Sequence, residues 1–326
     1  YTTLFRSGKP LAQLGIPCLF LPSHEPTDKL LVYFHANAED VGLAEDFLRS
    51  IKDTLHVHVL AIEYPGYGEY EGKPNEAQIN ADAETLFDFL QNSLHINPSS
   101  IHLLGRSIGS GPAVHLASVR KPGSLTLVSA YLSIRKVSTH VVGALLQNIA
   151  HLFLKERFPN EDKIGSVECP ILFIHGKQDE LIPCSHARDL HSAAKASHSR
   201  LEIRENMQHN TFSLYNDVLN PMYAFWRDLG LSSAVVSPID PEPLQRYNDI
   251  ILYHLKHHKG RATLDPDGRW RSEVPMRICP KCRARYDASV RQCPADGRCS
   301  GEASLLWIWT HKLTHWFRMW VWSWWP

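Results

Sequence analysis

The sequence predicts an α/β fold, a mostly parallel, doubly wound sheet with helices on both faces. Short apolar runs alternate with longer helical stretches over most of the first 230 residues, and this alternation is typical of a parallel sheet. The run LLGRSIGSG at residues 103–111 adds a glycine-rich turn after a short apolar segment. It predicts a strand, a tight turn and a helix, with Ser107 at the apex.

The predicted elements alternate in chain order. The strands are short apolar runs, the most apolar of which (VHVLAIE) favours burial on both faces of the sheet; they span 29–34, 56–63, 100–104, 124–130, 169–176 and 201–205. The helices between them are predicted over 41–52, 75–94, 108–119 and 183–196. Residues 133–160 interrupt the alternation with a largely apolar helical stretch. Two interpretations stay open for it, a lid over the active site or a helix that only packs on the fold.

Ser107 lies in a GxSxG pattern with Gly105 and Gly109. A nucleophile on such a sharp turn has strained backbone angles, and side chains in place of the two glycines would collide with the neighbouring strand and helix. The pattern alone is weak, because a glycine-serine turn that merely starts a helix also fits it.

An acid and a histidine follow in the order that hydrolase chemistry on such a sheet requires. Asp179 lies three residues beyond Gly176 in the loop after strand 169–176, and His209 follows the last predicted strand. Glu180 is the competing acid, although its place just before a helix suits a charge that favours the helix N-terminus. The predicted catalytic set is therefore Ser107, Asp179 and His209.

An oxyanion hole needs two backbone N–H donors. One comes from the residue after the nucleophile, which is Ile108, and the other from the loop after an earlier strand. Strand 29–34 is followed by HANAED, so Asn37 is the predicted second donor.

Five ordered motifs over residues 19–226 resemble those of α/β-hydrolase-domain serine hydrolases, in particular the membrane-associated group that includes protein depalmitoylases. The motifs are FHANAEDVG, AIEYPGYGEYEGKP, LLGRSIGSGPAVHLA, LFIHGKQDELIP and MQHN. The resemblance implies a fatty-acyl thioester on cysteine as substrate. One residue departs from the family pattern: Ala36 replaces the glycine after the histidine of the oxyanion loop. If that position needs a positive φ, alanine strains it and misaligns the second donor.

Composition restricts the remaining possibilities. The 326 residues are 44% hydrophobic and 21% charged, with a formal net charge of +0, which gives no indication of nucleic-acid binding. Cys18, Cys169 and Cys184 are isolated from one another in the sequence, unlike a secreted disulfide framework, so we expect an intracellular, reducing compartment. No cofactor is expected for catalysis. The first residue is Tyr1 rather than Met, which is compatible with a missing or processed N-terminus.

A different composition follows residue 230. The predicted domains are a hydrolase domain (1–230), a linker and helix (231–275), a cysteine module (276–300) and a tail (301–326). The module contains Cys279, Cys282, Cys293 and Cys299, four thiolates suited to a tetrahedral structural zinc site. It resembles a small zinc ribbon, but the second half lacks a compact CxxC. Two alternatives stay open: Asp296 or a histidine completes the metal site, or the module binds no metal.

The tail carries seven of the nine tryptophans, in LLWIWTHKLTHWFRMWVWSWWP at residues 305–326. Its basic residues would be costly across a hydrocarbon core. A helical wheel predicts an interfacial anchor on a membrane surface, because one face holds Trp309, Leu313, Trp316, Phe317, Trp320 and Trp324 and the basic residues lie away from it. A helix that buries the same aromatics in a partner protein is the alternative.

Together these features predict a serine hydrolase peripheral to a membrane, acting on an acylated protein or a lipid-like ester. The alternative is a catalytically weak or inactive hydrolase fold that serves as a structural subunit, docked into an assembly through its cysteine module and tail.

Overall fold

In a computed structural model of the chain, the described residues are 2–5, 15–37, 39–68, 70–142, 156–231, 239, 241 and four short strands between 262 and 287. The chain divides into two compact units, Tyr1–Asn248 and Asp249–Pro326.

The part of the first unit that the structure describes includes one sheet of eight strands. They are β1 (Thr2–Phe5), β2 (Gly15–Leu21), β3 (Leu30–Phe34), β4 (His58–Ile62), β5 (Ile101–Arg106), β6 (Ser124–Val128), β7 (Ile171–Gly176) and β8 (Ser199–Arg204). Their order in the sheet is β1-β2-β4-β3-β5-β6-β7-β8. Strands β3 to β8 pair in parallel, which confirms the predicted mostly parallel sheet. Strands β1 and β2 form an antiparallel edge that is not among the predicted strands.

Among the described residues of this unit, seven α-helices accompany the sheet. They are α1 (Glu45–Leu55), α2 (Glu76–Asp88), α3 (Ser110–Val119), α4 (Ile134–Val142), α5 (Asn160–Lys163), α6 (Ser185–Ala193) and α7 (Asn220–Asp228). Helix α2 begins where the sequence predicts, because the Asn75 side chain accepts a hydrogen bond from the Gln78 N–H and caps it. Helix α1 begins four residues later than predicted. Helix α7 is not among the predicted helices.

Helices cover both faces of the sheet. One face packs against α1 and α7, and its core includes Leu48, Trp226 and the strand residues Leu31, Val59 and Ile174. Helix α3 lies along β5 and contacts α2, and its buried side chains do not belong to that cluster. Every residue of β4 is buried, as predicted for a strand covered on both faces.

The predicted interruption at 133–160 is helical at its two ends, in α4 and α5. Residues 143–155 lie outside the described residues, so the choice between a lid and a packing helix stays open.

The described residues of the second unit form two short antiparallel pairs. Strand β9 (Ala262–Leu264) pairs with β10 (Trp270–Ser272), and β11 (Met276–Ile278) pairs with β12 (Arg285–Asp287). The four cysteines of the predicted zinc module, the predicted helix within 231–275 and the tail at 305–326 lie outside the described residues. Within the described part of the chain, no helix has the length and hydropathy needed to cross a bilayer.

Candidate active site

Ser107 lies at the turn between β5 and α3. Its backbone has φ 52°, a left-handed conformation that is costly for a residue with a Cβ. The flanking glycines make this turn possible. A Cβ on Gly105 would lie 2.6 Å from the Gly109 carbonyl oxygen, and one on Gly109 would lie 2.1 Å from the Phe34 carbonyl oxygen. Both distances are too short for real atoms, as the sequence argument on side-chain collisions predicts.

The structure brings together the three side chains that the sequence singles out. Ser107 Oγ lies 2.9 Å from His209 Nε2, and His209 Nδ1 lies 2.8 Å from Asp179 Oδ2. Since a carboxylate only accepts, Nδ1–H donates to Asp179, and Nε2 presents its lone pair to the Ser107 hydroxyl. This arrangement allows the hydroxyl to lose its proton to the ring.

Asp179 is held by its own loop. Its Oδ1 accepts hydrogen bonds from the Leu181 N–H at 3.0 Å and the Ile182 N–H at 2.8 Å. Burial pushes the pKa of the Asp179 carboxyl upward, but the His209 contact and the Ile182 N–H outweigh it, so the net pKa lies below the ordinary value. The carboxyl therefore stays ionised opposite His209. Glu180, the competing acid, is exposed.

A second histidine, His175 on β7, lies behind Asp179. Its Nε2–H donates to the Ile182 carbonyl oxygen at 2.8 Å and lies 3.5 Å from Asp179 Oδ2. Burial lowers the pKa of His175, despite the opposing effect of the Asp179 charge. The ring is thus neutral and supports the acid loop. In the sequence, the indication of this supporting role is the place of His175 at the end of the predicted strand that precedes the Asp179 loop.

The predicted oxyanion donors lie at the carboxyl ends of the neighbouring strands β5 and β3. Ile108 is the first residue after the nucleophile, at a helix start, where backbone N–H groups lack intrahelical acceptors. The Ala36 N–H donates to Glu39 Oε2 at 2.9 Å, whereas Asn37 N–H has no hydrogen-bond partner within the described part of the chain. Ala36 does not have a positive φ. The backbone strain that a positive φ would impose on alanine at this position is therefore absent.

The oxyanion loop begins with a buried pair that sequence reasoning missed. His35 Nε2 lies 2.8 Å from Glu63 Oε1, and His35 Nδ1 lies 2.9 Å from the Ala36 carbonyl oxygen. Both side chains are fully buried. Glu63 also accepts from the Val41 and Tyr64 N–H groups at 3.2 and 3.0 Å. The pair thus connects the oxyanion loop to the loop after β4.

Solved structures share this architecture. The chain aligns with acetyl xylan esterase 1 from Thermoanaerobacterium at a TM-score of 0.51 and 16% identity, covering 65% of this chain and 80% of that one. A cold-adapted esterase from an Arctic intertidal metagenomic library aligns at a TM-score of 0.50 and 16% identity, covering 69% and 92%. The fold is that of an α/β hydrolase.

Sequence comparisons agree with this α/β-hydrolase domain. A family model described as "Alpha/beta hydrolase of unknown function (DUF1057)" matches residues 41–181. Human α/β hydrolase domain-containing protein 17B is 29% identical over 210 residues, which are 64% of this chain and 70% of that protein. Human α/β hydrolase domain-containing protein 17C is 29% identical over 208 residues, 64% of this chain and 61% of that protein.

Proposed function

We propose that this α/β hydrolase is a serine hydrolase that cleaves an acyl ester or thioester through Ser107, His209 and Asp179. The observation that carries the proposal is the continuous hydrogen-bonded series from Ser107 Oγ through the His209 ring to Asp179, at 2.9 and 2.8 Å. The strained φ of Ser107 supports it, because such strain persists where the surrounding structure enforces it, and it clusters at active sites.

In this mechanism Ser107 Oγ attacks the acyl carbonyl carbon while its proton moves to His209 Nε2. His209 then donates that proton to the departing sulfur or oxygen, which leaves an acyl-serine. Water loses a proton to the same nitrogen, attacks the acyl-serine and releases the carboxylic acid as Ser107 regains its proton. Asp179 holds Nδ1–H throughout and stabilises the charged ring.

The carbonyl oxygen becomes negatively charged in both tetrahedral states. We assign its two donors to the backbone N–H groups of Ile108 and Asn37, and the loss of one such donor typically costs about 10²- to 10³-fold in rate. The Asn37 N–H suits this role because the preceding N–H, that of Ala36, already donates to Glu39.

Within the acyl substrates we propose a fatty-acyl thioester on a protein cysteine. The motif resemblance to the group that includes depalmitoylases supports this choice. The similarity to human α/β hydrolase domain-containing proteins 17B and 17C supports it as well. The triad itself would serve an oxygen ester equally well.

The test is labelling by a fluorophosphonate, which reacts with an activated serine. We expect the wild type to be labelled and Ser107→Ala to be unlabelled, with turnover of a palmitoyl thioester reduced by about 10⁴-fold or more in the variant. A short-chain p-nitrophenyl ester measured in parallel ranks the two substrate classes. A folded but unlabelled wild type would contradict the proposal and favour the structural-subunit alternative.

We further propose that the cysteine module binds structural zinc and that the tail holds the enzyme at a membrane surface in a reducing compartment. The sequence supports the first point, because Cys279 and Cys282 occur in the six residues that join the paired strands β11 and β12 along the chain. Metal analysis should give near one zinc per chain, and less in Cys279→Ser. Vesicle flotation of the full chain, compared with a chain lacking 305–326, tests membrane binding against a protein partner.

A further inference from the structure

Glu39 lies in the oxyanion loop, three residues after Ala36. Its Oε2 accepts hydrogen bonds from the Ala36 N–H at 2.9 Å and from the Tyr33 hydroxyl at 3.1 Å. Its other oxygen, Oε1, lies 3.6 Å from Arg106 Nη1. The Glu39 side chain is 17% exposed and that of Arg106 is 13% exposed, so water competes only weakly for these contacts.

Arg106 immediately precedes the nucleophile, and it extends the connection to the histidine loop. Its Nη2 lies 3.4 Å from the His209 carbonyl oxygen and 3.4 Å from Asn210 Oδ1. Its guanidinium carbon lies 5.3 Å from the centre of the Phe212 ring, a cation–π distance. One guanidinium therefore contacts both the oxyanion-loop glutamate and the backbone of the proposed base.

The sheet explains why these distant residues meet. Phe34 and Gly105 are register partners on the parallel strands β3 and β5. The loop after β3 and the turn after β5 therefore leave the same edge of the sheet side by side. Tyr33 adds a further anchor to Glu39 from within β3.

We propose that Glu39 and Arg106 form a positioning pair for the hydrolysis proposed above, on which this inference rests. Glu39 engages the Ala36 N–H and so leaves the Asn37 N–H to receive the substrate oxygen. Arg106 neutralises the Glu39 carboxylate, which would otherwise repel the developing oxyanion, and connects the oxyanion loop to the histidine loop. Neither side chain takes part in proton transfer.

Kinetics of Glu39→Ala and Arg106→Ala test the pair. Displacement of the Asn37 N–H weakens binding of the transition state and leaves binding of the substrate nearly unchanged. We therefore expect kcat to fall by about 10²-fold while KM stays within about twofold. Affinity for a boronic acid, whose adduct on Ser107 mimics the tetrahedral state, should fall in parallel. The double variant should be no worse than the more damaged single variant, because the two residues act as one unit.

Glu45→Ala is the matched control. Glu45 also pairs with an arginine, Arg49 at 2.5 Å, and its side chain is 21% exposed, but it lies on α1 and outside the site. It should retain wild-type kcat and boronic-acid affinity. Multiplicative losses in the double variant, or a change in KM with kcat unaltered, would overturn the positioning pair.

Amide hydrogen exchange separates this inference from the proposed activity. The Ala36 N–H should be protected in the wild type and should lose protection in Glu39→Ala but not in Glu45→Ala. An unchanged Ala36 protection overturns the inference even in an active enzyme. If the predicted exchange pattern appears in a wild type that no fluorophosphonate labels, the loop arrangement is supported and the hydrolase proposal fails.

Discussion

Two buried histidine–carboxylate pairs lie in loops that follow the sheet strands, and they have the same N···O distance. His209 Nδ1 meets Asp179 at 2.8 Å, and His35 Nε2 meets Glu63 at 2.8 Å. They differ in what the second ring nitrogen faces. In His209 it faces the hydroxyl of Ser107 at 2.9 Å, whereas in His35 it faces the Ala36 carbonyl oxygen at 2.9 Å.

This difference separates His209, which can act as a general base, from His35, which only holds two loops together. A hydroxyl can give up a proton, so the free nitrogen of His209 can accept one. A carbonyl oxygen can only accept, so the Ala36 carbonyl has no proton that His35 could take. A buried histidine–carboxylate pair is therefore not a catalytic signature by itself, because the third group decides its role.

Of the changes that test this comparison of the two pairs, Asp179→Asn has the largest expected effect. The amide would present N–H groups to His209 Nδ1 and favour the tautomer with the proton on Nε2, which cannot take the Ser107 proton. We expect kcat for ester hydrolysis to fall by about 10⁴-fold. A loss below about tenfold would contradict the assignment of Asp179 as the acid.

The same chemical change at the other pair, Glu63→Gln, should act on stability instead. Glutamine has one acceptor oxygen where the carboxylate has two, so a buried N–H group loses its acceptor and the free energy of unfolding should fall by about 1–3 kcal/mol. Denaturant unfolding followed by fluorescence measures it. The turnover per folded molecule should change far less than in Asp179→Asn. A loss of turnover at unchanged stability would contradict the structural role of the His35–Glu63 pair.

The smallest effect concerns His102, a buried histidine that meets a serine hydroxyl rather than a carboxylate. Its Nδ1 lies 2.9 Å from Ser124 Oγ, and its Nε2 has no hydrogen-bond partner among the described residues. Burial, helped by the Lys29 charge, lowers its pKa from the ordinary value of 6.5 to about 3. Between pH 6.5 and 3, His102 is therefore protonated in the unfolded chain and neutral in the folded chain.

The contribution of His102 to stability is therefore fully present above pH 6.5 and is lost progressively as the pH falls toward 3. Unfolding free energies measured between those values should show a shallower pH slope in His102→Asn than in the wild type. Parallel curves for the two proteins would indicate that His102 is not held neutral.

Much of the fold and the core of the site could be predicted from the sequence. The six parallel strands and the turn at Ser107 follow from local signals, namely apolar runs and the glycines on either side of the serine. Asp179 and His209 could be singled out because each lies in a loop directly after a strand. The antiparallel strand β2 was missed, since a short apolar run with no helix after it lacks the alternation on which the prediction depended.

The residues around the site were not predictable in the same way. His35 and Glu63 are 28 positions apart, and Arg106 meets Glu39 and His209 from a third segment. No local pattern relates such residues. The contacts of His35 with Glu63 and of Glu39 with Arg106 exist only because β3, β4 and β5 lie next to one another in the sheet and end at the same edge. The His209 loop reaches Arg106 because β8 runs parallel to these strands and ends at that edge too.

By itself the sequence determined where the chain turns sharply and which residue types occupy those turns, because steric limits on glycine and serine and the burial of apolar runs act locally. Only the tertiary structure decided which nitrogen faces which oxygen. Hydrogen bonds between distant segments depend on strand order and register, which put Ser107 in front of one histidine and a carbonyl in front of another.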